Sequence, residues 1–335
     1  MQGLRKDLIA MLDTIGVPGA IISIQSKTYK NLEILYGYSQ LETQKPMSLD
    51  LAFRIGSVTK TFTGTMLLQL YDEQQFDLDS PIETILLGVP NGENITIRQV
   101  GSMRSGIANF SVGSRFQDAL DRDPTRIWLS SEMLLLGVSK PPDFPPGTDF
   151  NYSNTNSIIL ACSIERLNDK TYGKSLNDRM FQPLGLHNTH YTAYIQDPCI
   201  NGYVFENGKY INATNYNDSW AWSAGEIVST VGDMHKYLKR SIANYQTLTL
   251  DAVKQQRYWQ KIELVDNVVR KYGFQLLKLN NYIGHNGSLP GYNIYILYSL
   301  KTQTSVVIVC NIQFSTNNNQ PPATEIANLI VSRLK

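Results

Sequence analysis

The sequence lacks an excess of either charge: 30 Lys and Arg stand against 29 Asp and Glu, leaving a formal net charge of +1, and no run of basic residues occurs. Phosphate backbones are bound through clustered basic charge, so this balance argues against a nucleic-acid partner. Charged residues of all kinds make up only 18% of the chain, below the roughly 25% of an average globular protein, while 42% are hydrophobic. A composition so rich in apolar side chains also argues against a disordered tail.

Long apolar runs are missing too. The longest candidates, Ile158 to Ile164 and Val306 to Ile312, fall far short of the roughly 18 residues a membrane helix needs, so no transmembrane span is expected. Cysteine is scarce: Cys162, Cys199 and Cys310 are too few and too scattered for a disulfide framework or a zinc cluster. Cys162 and Cys310 lie in apolar runs and read as buried free thiols. Among the 4 histidines, His187 and His190 lie close together but lack acidic partners on one helix and make a poor zinc site. Neither a Gly-x-Ser-x-Gly elbow nor a Walker or Rossmann glycine loop is present, so no cofactor or metal is expected. The N-terminus, Met1-Gln2-Gly3-Leu4-Arg5-Lys6, lacks the order of a signal peptide, which leaves a cytoplasmic protein or one whose signal was removed.

What is present is ample for a core. At about 150 residues per domain, 335 residues suggest two domains or one large two-part fold. Leu4, Leu8 and Leu12 share a helical face, and the runs Ala20 to Gln25 and Leu32 to Tyr38 read as a hairpin around the polar turn Ser26 to Asn31. From Thr61 to about Leu250 the pattern is mostly helical, beginning with Phe62, Met66, Leu67 and Leu70 and broken by loops such as Pro141 to Gly147. After about Val265 the period returns to two, in Tyr292, Ile294, Ile296 and Tyr298 and the buried run Ser305 to Ile312, with a Gly-rich turn read at Gly284 to Gly291. Ile326, Leu329, Ile330 and Leu334 close the chain on an amphipathic helix. The expected fold is mixed α/β (α+β): an antiparallel sheet from residues 1–60 and 264–335, flanked by the terminal helices, with a mostly helical domain, 61–263, inserted and the site in the cleft between them.

Three short patterns carry chemistry. Ser57-Val58-Thr59-Lys60 opens a helix, so Ser57 and Lys60 share a face, and a desolvated lysine that becomes neutral can take the serine proton. Ser-x-x-Lys is common, and a second copy at Ser332 to Lys335, at the frayed end of the last helix, serves as a control. Tyr152-Ser153-Asn154 stands where a loop enters a buried helix, so a phenol and an amide can point together into a cleft. The bland alternative is a capping Asn154 and a packing Tyr152, and Tyr29 to Asn31 and Tyr210 to Asn212 repeat the spacing. His285-Asn286-Gly287-Ser288 is expected on a strand edge before the turn Leu289-Pro290-Gly291, where a glycine lets an extended substrate backbone approach and the Ser288 N–H can face Ser57.

In order and spacing these three patterns resemble the motifs of the serine penicillin-recognising enzymes of the class C β-lactamase group, with the closest likeness to the Streptomyces D-alanyl-D-alanine carboxypeptidase/transpeptidases. Phe53-Arg54-Ile55-Gly56, Leu67-Leu68-Gln69-Leu70, Ile97-Arg98-Gln99-Val100, Arg104-Ser105-Gly106, Ser219-Trp220-Ala221 and Ser223-Ala224-Gly225 extend the likeness from about residue 15 to residue 312. The resemblance implies a penicillin-binding serine hydrolase acting on D-amino-acid-containing peptides, exported from the cytoplasm, with β-lactams as ligands. It assigns Ser57 as the acylated nucleophile, Lys60 as its activating base, Tyr152 as proton relay and His285 as support for Tyr152. Asn154 would hold the substrate amide, Trp220 would wall the site unless it simply packs in the core, and Gly287 and Ser288 would line the strand, with the N–H groups of Ser57 and Ser288 as oxyanion hole. The family's carboxylate-binding arginine falls, ungapped along the strand Tyr272 to Leu279, on Leu277, with Lys278 beside it, and Asn286 replaces a hydroxyl residue. Those departures open the alternatives of a D-amino-acid amidase, aminopeptidase or esterase, beside a class C-like β-lactamase.

Overall fold

In the computed structural model, which describes residues 1–265 and 268–334, the chain opens on helix α1 (Gln2–Ile15), whose Leu4, Leu8, Leu12 and Ile15 form one buried stripe. Gly16 ends it with φ 72°, a left-handed cap that favours glycine. Strands β1 (Gly19–Ser26) and β2 (Leu32–Gln40) then form the expected hairpin, with Ile22 opposite Ile34 and the Ser26 N–H donating to Asn31 Oδ1 at 3.0 Å across the turn. A short β3 (Lys45–Pro46) adds an edge.

The middle of the chain holds helices α2 (Thr59–Asp72) and α3 (Asn154–Asn168) among several shorter ones. It is not wholly helical. Phe53–Arg54, Ile227–Ser229 and His190–Tyr191 form a small sheet, and Tyr203–Glu206 pairs with Lys209–Asn212 as a hairpin. The chain then returns through β4 (Gln260–Val265), β5 (Val268–Tyr272), β6 (Leu277–Leu279), β7 (Tyr282–Leu289), β8 (Tyr292–Ser299) and β9 (Thr304–Cys310) to the closing helix α4 (Pro322–Arg333).

β1 to β9 form one sheet in the order β3-β2-β1-β9-β8-β7-β6-β5-β4, so the two ends of the chain meet where β1 pairs antiparallel with β9. β9 reads as an unbroken apolar run because both its faces are covered. Val306, Ile308 and Cys310 pack with Leu8, Leu12, Ile326 and Ile330 of the terminal helices, whereas Val307 and Val309 pack with Phe62 and Met66 of α2. Fully burying a side chain such as Leu8 contributes about 1.5–3 kcal/mol, and two such layers hold the sheet between helices. Among the described residues no helix is long and apolar enough to cross a membrane.

Three expectations need correction, and a fourth lies partly outside the described residues. The Gly-rich stretch Gly284 to Gly291 is not a turn: β7 runs through Leu289, and only Pro290 and Gly291 turn, Gly291 with φ 87°. Its other glycines mark close approach, since a Cβ on Gly287 would lie 2.0 Å from the Ile55 carbonyl oxygen. The strand expected from Tyr272 to Leu279 is instead a hairpin: β5 ends at Tyr272, which pairs antiparallel with Leu277 of β6, and Gly273 to Leu276 form the turn. Gln275, at φ 52°, sits in that turn, and its side chain accepts from Ser157 Oγ at 2.7 Å and donates to the Gly101 carbonyl at 3.2 Å. Phe274 fills the space a side chain on Gly101 would need. Cys162 is half-buried rather than buried, and Cys199 joins Cys310 in the interior. The control pattern at the C-terminus ends on Lys335, outside the described residues, while the Ser332 hydroxyl donates to the Leu329 carbonyl.

Candidate active site

Ser57 sits in the short turn Gly56–Val58 that leads directly into α2. Gly56 has φ 53°, and a Cβ there would lie 2.9 Å from the Ser288 backbone nitrogen, so the glycine lets the turn touch β7. Eleven of the 14 residues of α2 are buried, Lys60 among them with no exposure at all. A helix that is enclosed on nearly every side forces its lysine to find partners inside. Lys60 Nζ donates to Ser57 Oγ at 3.0 Å and to the Ala224 carbonyl at 2.9 Å. Burial holds its pKa well below the ordinary lysine value.

Tyr152 and Asn154 lie at the entry to α3, whose N-cap is Ser153. Asn154 is therefore not the cap. Its Nδ2 donates to Ser111 Oγ at 2.8 Å, its N–H to Asn109 Oδ1 at 3.2 Å, and its own Oδ1 is buried without a partner among the described residues. By contrast, Asn31 and Asn212 of the two look-alike triplets accept from backbone N–H groups five and two residues away, as turn residues do. The Tyr152 ring stands 5.0 Å from Lys60 Nζ. Its buried hydroxyl faces Ser57 without closing a well-formed hydrogen bond. Burial pushes the phenol pKa far up, and Ser57 pulls it only partly back.

His285 is 1% exposed on β7. Its Nδ1 lies 2.6 Å from the Asn286 carbonyl oxygen and its Nε2 lies 3.1 Å from the Tyr272 hydroxyl. The expected support of Tyr152 by His285 is thus a ring contact, 6.1 Å between centroids, and both imidazole nitrogens are engaged elsewhere. Beyond Gly284, the last residue of β7 paired with β6, His285, Asn286, Gly287 and Ser288 pair only with β8, so the strand edge beside Ser57 is open. Trp220 is half-buried and packs at 5.4 Å on Phe116, while Trp222 is a core residue against Tyr172. The structure therefore gathers Ser57, Lys60, Tyr152, His285, Gly287 and Ser288 in one place, with Asn154 two residues from Tyr152 on the same helix entry.

The carboxylate position is different. Leu277 and Leu279 join the core layer beneath the terminal helices, and Lys278 is the residue that faces the helical side. Lys278 Nζ stands 5.8 Å over the Trp259 ring, and burial with Lys271 and Arg257 nearby lowers its pKa. His187 and His190 form no group with other ligand types: among the described residues no cluster suited to a metal occurs.

Three residues around the site were given no role by the sequence. Tyr272 is visible only once the turn after it is known. Arg54, three residues before Ser57, forms a buried ion pair with Asp218 at 2.7 Å and donates to the carbonyls of Thr214 and Tyr216, tying the Trp220 segment to the Ser57 turn. Glu226, two residues beyond Ala224, is 7% exposed, and burial raises its pKa to about 8.

A profile described as Beta-lactamase matches residues 4–329. The chain belongs to the beta-lactamase family. Members of that family are serine hydrolases. The chain is 26% identical over 317 residues to a D-aminopeptidase of Brucella anthropi, covering 88% of this chain and 56% of that protein. It is 22% identical over 350 residues to penicillin-binding protein 4* of Bacillus subtilis (strain 168), covering 95% and 74%. Among solved structures, a D-stereospecific amidohydrolase from Streptomyces sp. superposes with a TM-score of 0.85 at 26% identity, over 99% of this chain and 97% of that one. The chain spans 56% to 62% of the length of the first two curated relatives it matches.

Proposed function

We propose that the chain is a serine acyl-transfer hydrolase that cleaves amide bonds next to D-amino acids through an acyl-enzyme on Ser57. The observation that carries this reading is the buried Lys60 amine hydrogen-bonded with Ser57 Oγ at 3.0 Å. Burial pushes the two neighbouring groups in opposite directions, Lys60 down and Tyr152 up, so the amine becomes a base and the phenol keeps its proton. The Ser57 proton passes into the Lys60 and Tyr152 pair as Oγ attacks the carbonyl carbon. The N–H groups of Ser57 and Ser288 receive the oxyanion, and the leaving amine departs with a proton from that pair. Water then attacks the ester by the reverse path and frees Ser57. Asn154, with an unpartnered amide oxygen, holds the substrate amide N–H, and Trp220 borders the acyl side chain.

On substrate, the position of the carboxylate-binding arginine is a leucine that faces the core, which favours an amide or aminoacyl peptide over a peptide with a free C-terminal carboxylate. The likeness to a D-stereospecific amidohydrolase and a D-aminopeptidase supports the same choice. A D-alanyl-D-alanine carboxypeptidase is the second reading, supported by the likeness to penicillin-binding protein 4*. We further propose, from the motif resemblance to penicillin-recognising enzymes, an extracytoplasmic site of action with β-lactams as acylating ligands. A panel of D-amino-acid amides, D-aminoacyl peptides, D-alanyl-D-alanine peptides and short esters, with L-amides as controls, tests this. D-amides or D-aminoacyl peptides are expected to lead, and clear preference for the free-carboxylate peptides would establish the second reading. Ser57→Ala is expected to lose both hydrolysis and the penicillin adduct seen by intact-protein mass spectrometry, with its thermal unfolding unchanged; an adduct that persisted would remove Ser57 as nucleophile.

A further inference from the structure

The His285 imidazole is held by two partners whose proton requirements differ. The Asn286 carbonyl oxygen, 2.6 Å from Nδ1, can only accept a hydrogen bond, so the proton is on Nδ1. Nε2 is then a lone-pair acceptor in the neutral ring, and the Tyr272 hydroxyl 3.1 Å away donates to it. We propose that Tyr272 is a positioning residue: by donating to His285 Nε2 it fixes the ring in its neutral Nδ1–H form and turns it away from proton exchange with Tyr152.

Three further observations point the same way. His285 is enclosed, and burial together with the charge on Lys60 lowers its pKa to about 3, so an imidazolium is disfavoured in the resting protein. Tyr272 itself is buried and keeps its proton, since burial and the neighbouring Tyr152 raise its pKa far above the ordinary value. The Tyr272 ring is clamped edge-on against Tyr152, 6.1 Å and 90°, and against Phe150 at 5.6 Å. Its backbone is fixed by the segment that follows, where Gly273 donates to the Leu276 carbonyl at 2.8 Å and Gln275 to the Gly101 carbonyl at 2.9 Å. The hairpin turn therefore serves a purpose in the site. Because the turn closes at Leu277, opposite Gly284, β6 stops one residue short of His285 and leaves room there for the phenol.

The consequence for chemistry is a partition of protons. His285 contributes shape and a neutral dipole beside Tyr152, and the mobile protons stay on Ser57, Lys60 and Tyr152. This deepens the acyl-transfer reading above and rests on it for its kinetic arm, while its spectroscopic arm needs no turnover.

The test is nitrogen NMR of the full chain with labelled histidine, in which 4 histidines give a spectrum simple enough to assign through His285→Asn. Between about pH 6 and 8 the wild type is expected to show His285 as one protonated and one hydrogen-bonded nitrogen that do not titrate. In Tyr272→Phe the Nε2 resonance is expected to move toward that of an unbonded lone pair. The same variant is expected to lose roughly tenfold in kcat, the equivalent of one hydrogen bond, with KM little changed. Combined with His285→Asn it should lose no more than His285→Asn alone. A wild-type imidazolium, an Nε2–H tautomer, an Nε2 resonance unmoved in Tyr272→Phe, or additive losses in the double variant would each overturn the proposal. Should Tyr272→Phe not fold, the wild-type spectrum decides. Hydrolysis that survived Ser57→Ala would instead remove the acyl-transfer reading and leave the spectroscopic arm standing.

Discussion

Lys60 Nζ lies 3.0 Å from Ser57 Oγ inside a helix that is enclosed on nearly every side, with the Ala224 carbonyl as its only other hydrogen-bond partner among the described residues. A carbonyl cannot neutralise an ammonium, so the lysine charge is uncompensated by any ion pair with a described carboxylate, and burial alone sets the direction of its pKa. The unfolded chain holds that proton up to about pH 10.4, whereas the folded chain releases it at lower pH. Between those two values the unfolded state binds more protons, so stability rises with pH. Denaturant unfolding is therefore expected to show wild type gaining stability relative to Lys60→Met as pH is raised toward 10. Lys60→Arg keeps a permanent charge and should lower kcat/KM by about a hundredfold or more. Equal pH dependence of stability in wild type and Lys60→Met would refute the depressed pKa.

Glu226 predicts the opposite slope. Its pKa rises from an ordinary 4.5 to about 8 because burial outweighs the help of the Tyr191 hydroxyl. The folded state then binds the extra proton, and the stability this contributes is full below about pH 4.5 and lost as pH climbs through about 8. Glu226→Gln, which keeps the shape without the ionisation, should flatten that fall. Unfolding measured at intervals across this range separates the two residues, because the slopes have different signs.

Gly287 predicts a steric effect. Its Cβ would sit 2.0 Å from the Ile55 carbonyl oxygen and 3.3 Å from Gly56 Cα, both backbone atoms that cannot rotate aside. Gly287→Ala must push β7 away from the Ser57 turn, at a cost of about 3 kcal/mol or more and with loss of most activity. Thermal unfolding and turnover measured together would detect both, and a fully active, equally stable variant would mean that the strand and the turn are not in contact.

These contacts also explain how far the sequence could be read. Periodicity was sufficient wherever one face of an element packs on neighbours of its own layer: Leu4, Leu8 and Leu12 on α1, or Ile22 and Ile34 across the first hairpin, are set by local spacing. Ser57, Tyr152 and His285 could be nominated because each lies in a short pattern whose chemistry is local. What bound them together was not local. Tyr272 is placed beside His285 by a hairpin turn, Gly273 to Leu276, that is anchored where Phe274 meets the bare Cα of Gly101 and Gln275 meets Ser157, contacts across more than 100 residues. Gly284 and Gly287 suggested a turn for a related reason: glycine signals either a bend or a close approach, and only the neighbour, Ile55 for one and Ile296 for the other, distinguishes the two.

The carboxylate position predicts that specificity cannot be switched by one substitution. Leu277 is 7% exposed and packs with Tyr272, Leu279 and Tyr282 on the layer beneath the terminal helices. An arginine there would bury a guanidinium with no carboxylate to meet it, rather than extend it toward Ser57. Leu277→Arg is therefore expected to destabilise the protein by about 3–5 kcal/mol. It should not raise hydrolysis of D-alanyl-D-alanine peptides relative to D-amides. Lys278 faces the helical side but rests over Trp259, so freeing it through Trp259→Ala should change the ratio of the two substrates more than Leu277→Arg does. If Leu277→Arg instead folded normally and gained carboxypeptidase activity, the strand would have to rotate its side chains by one position, and the register of β6 with β7 would be wrong.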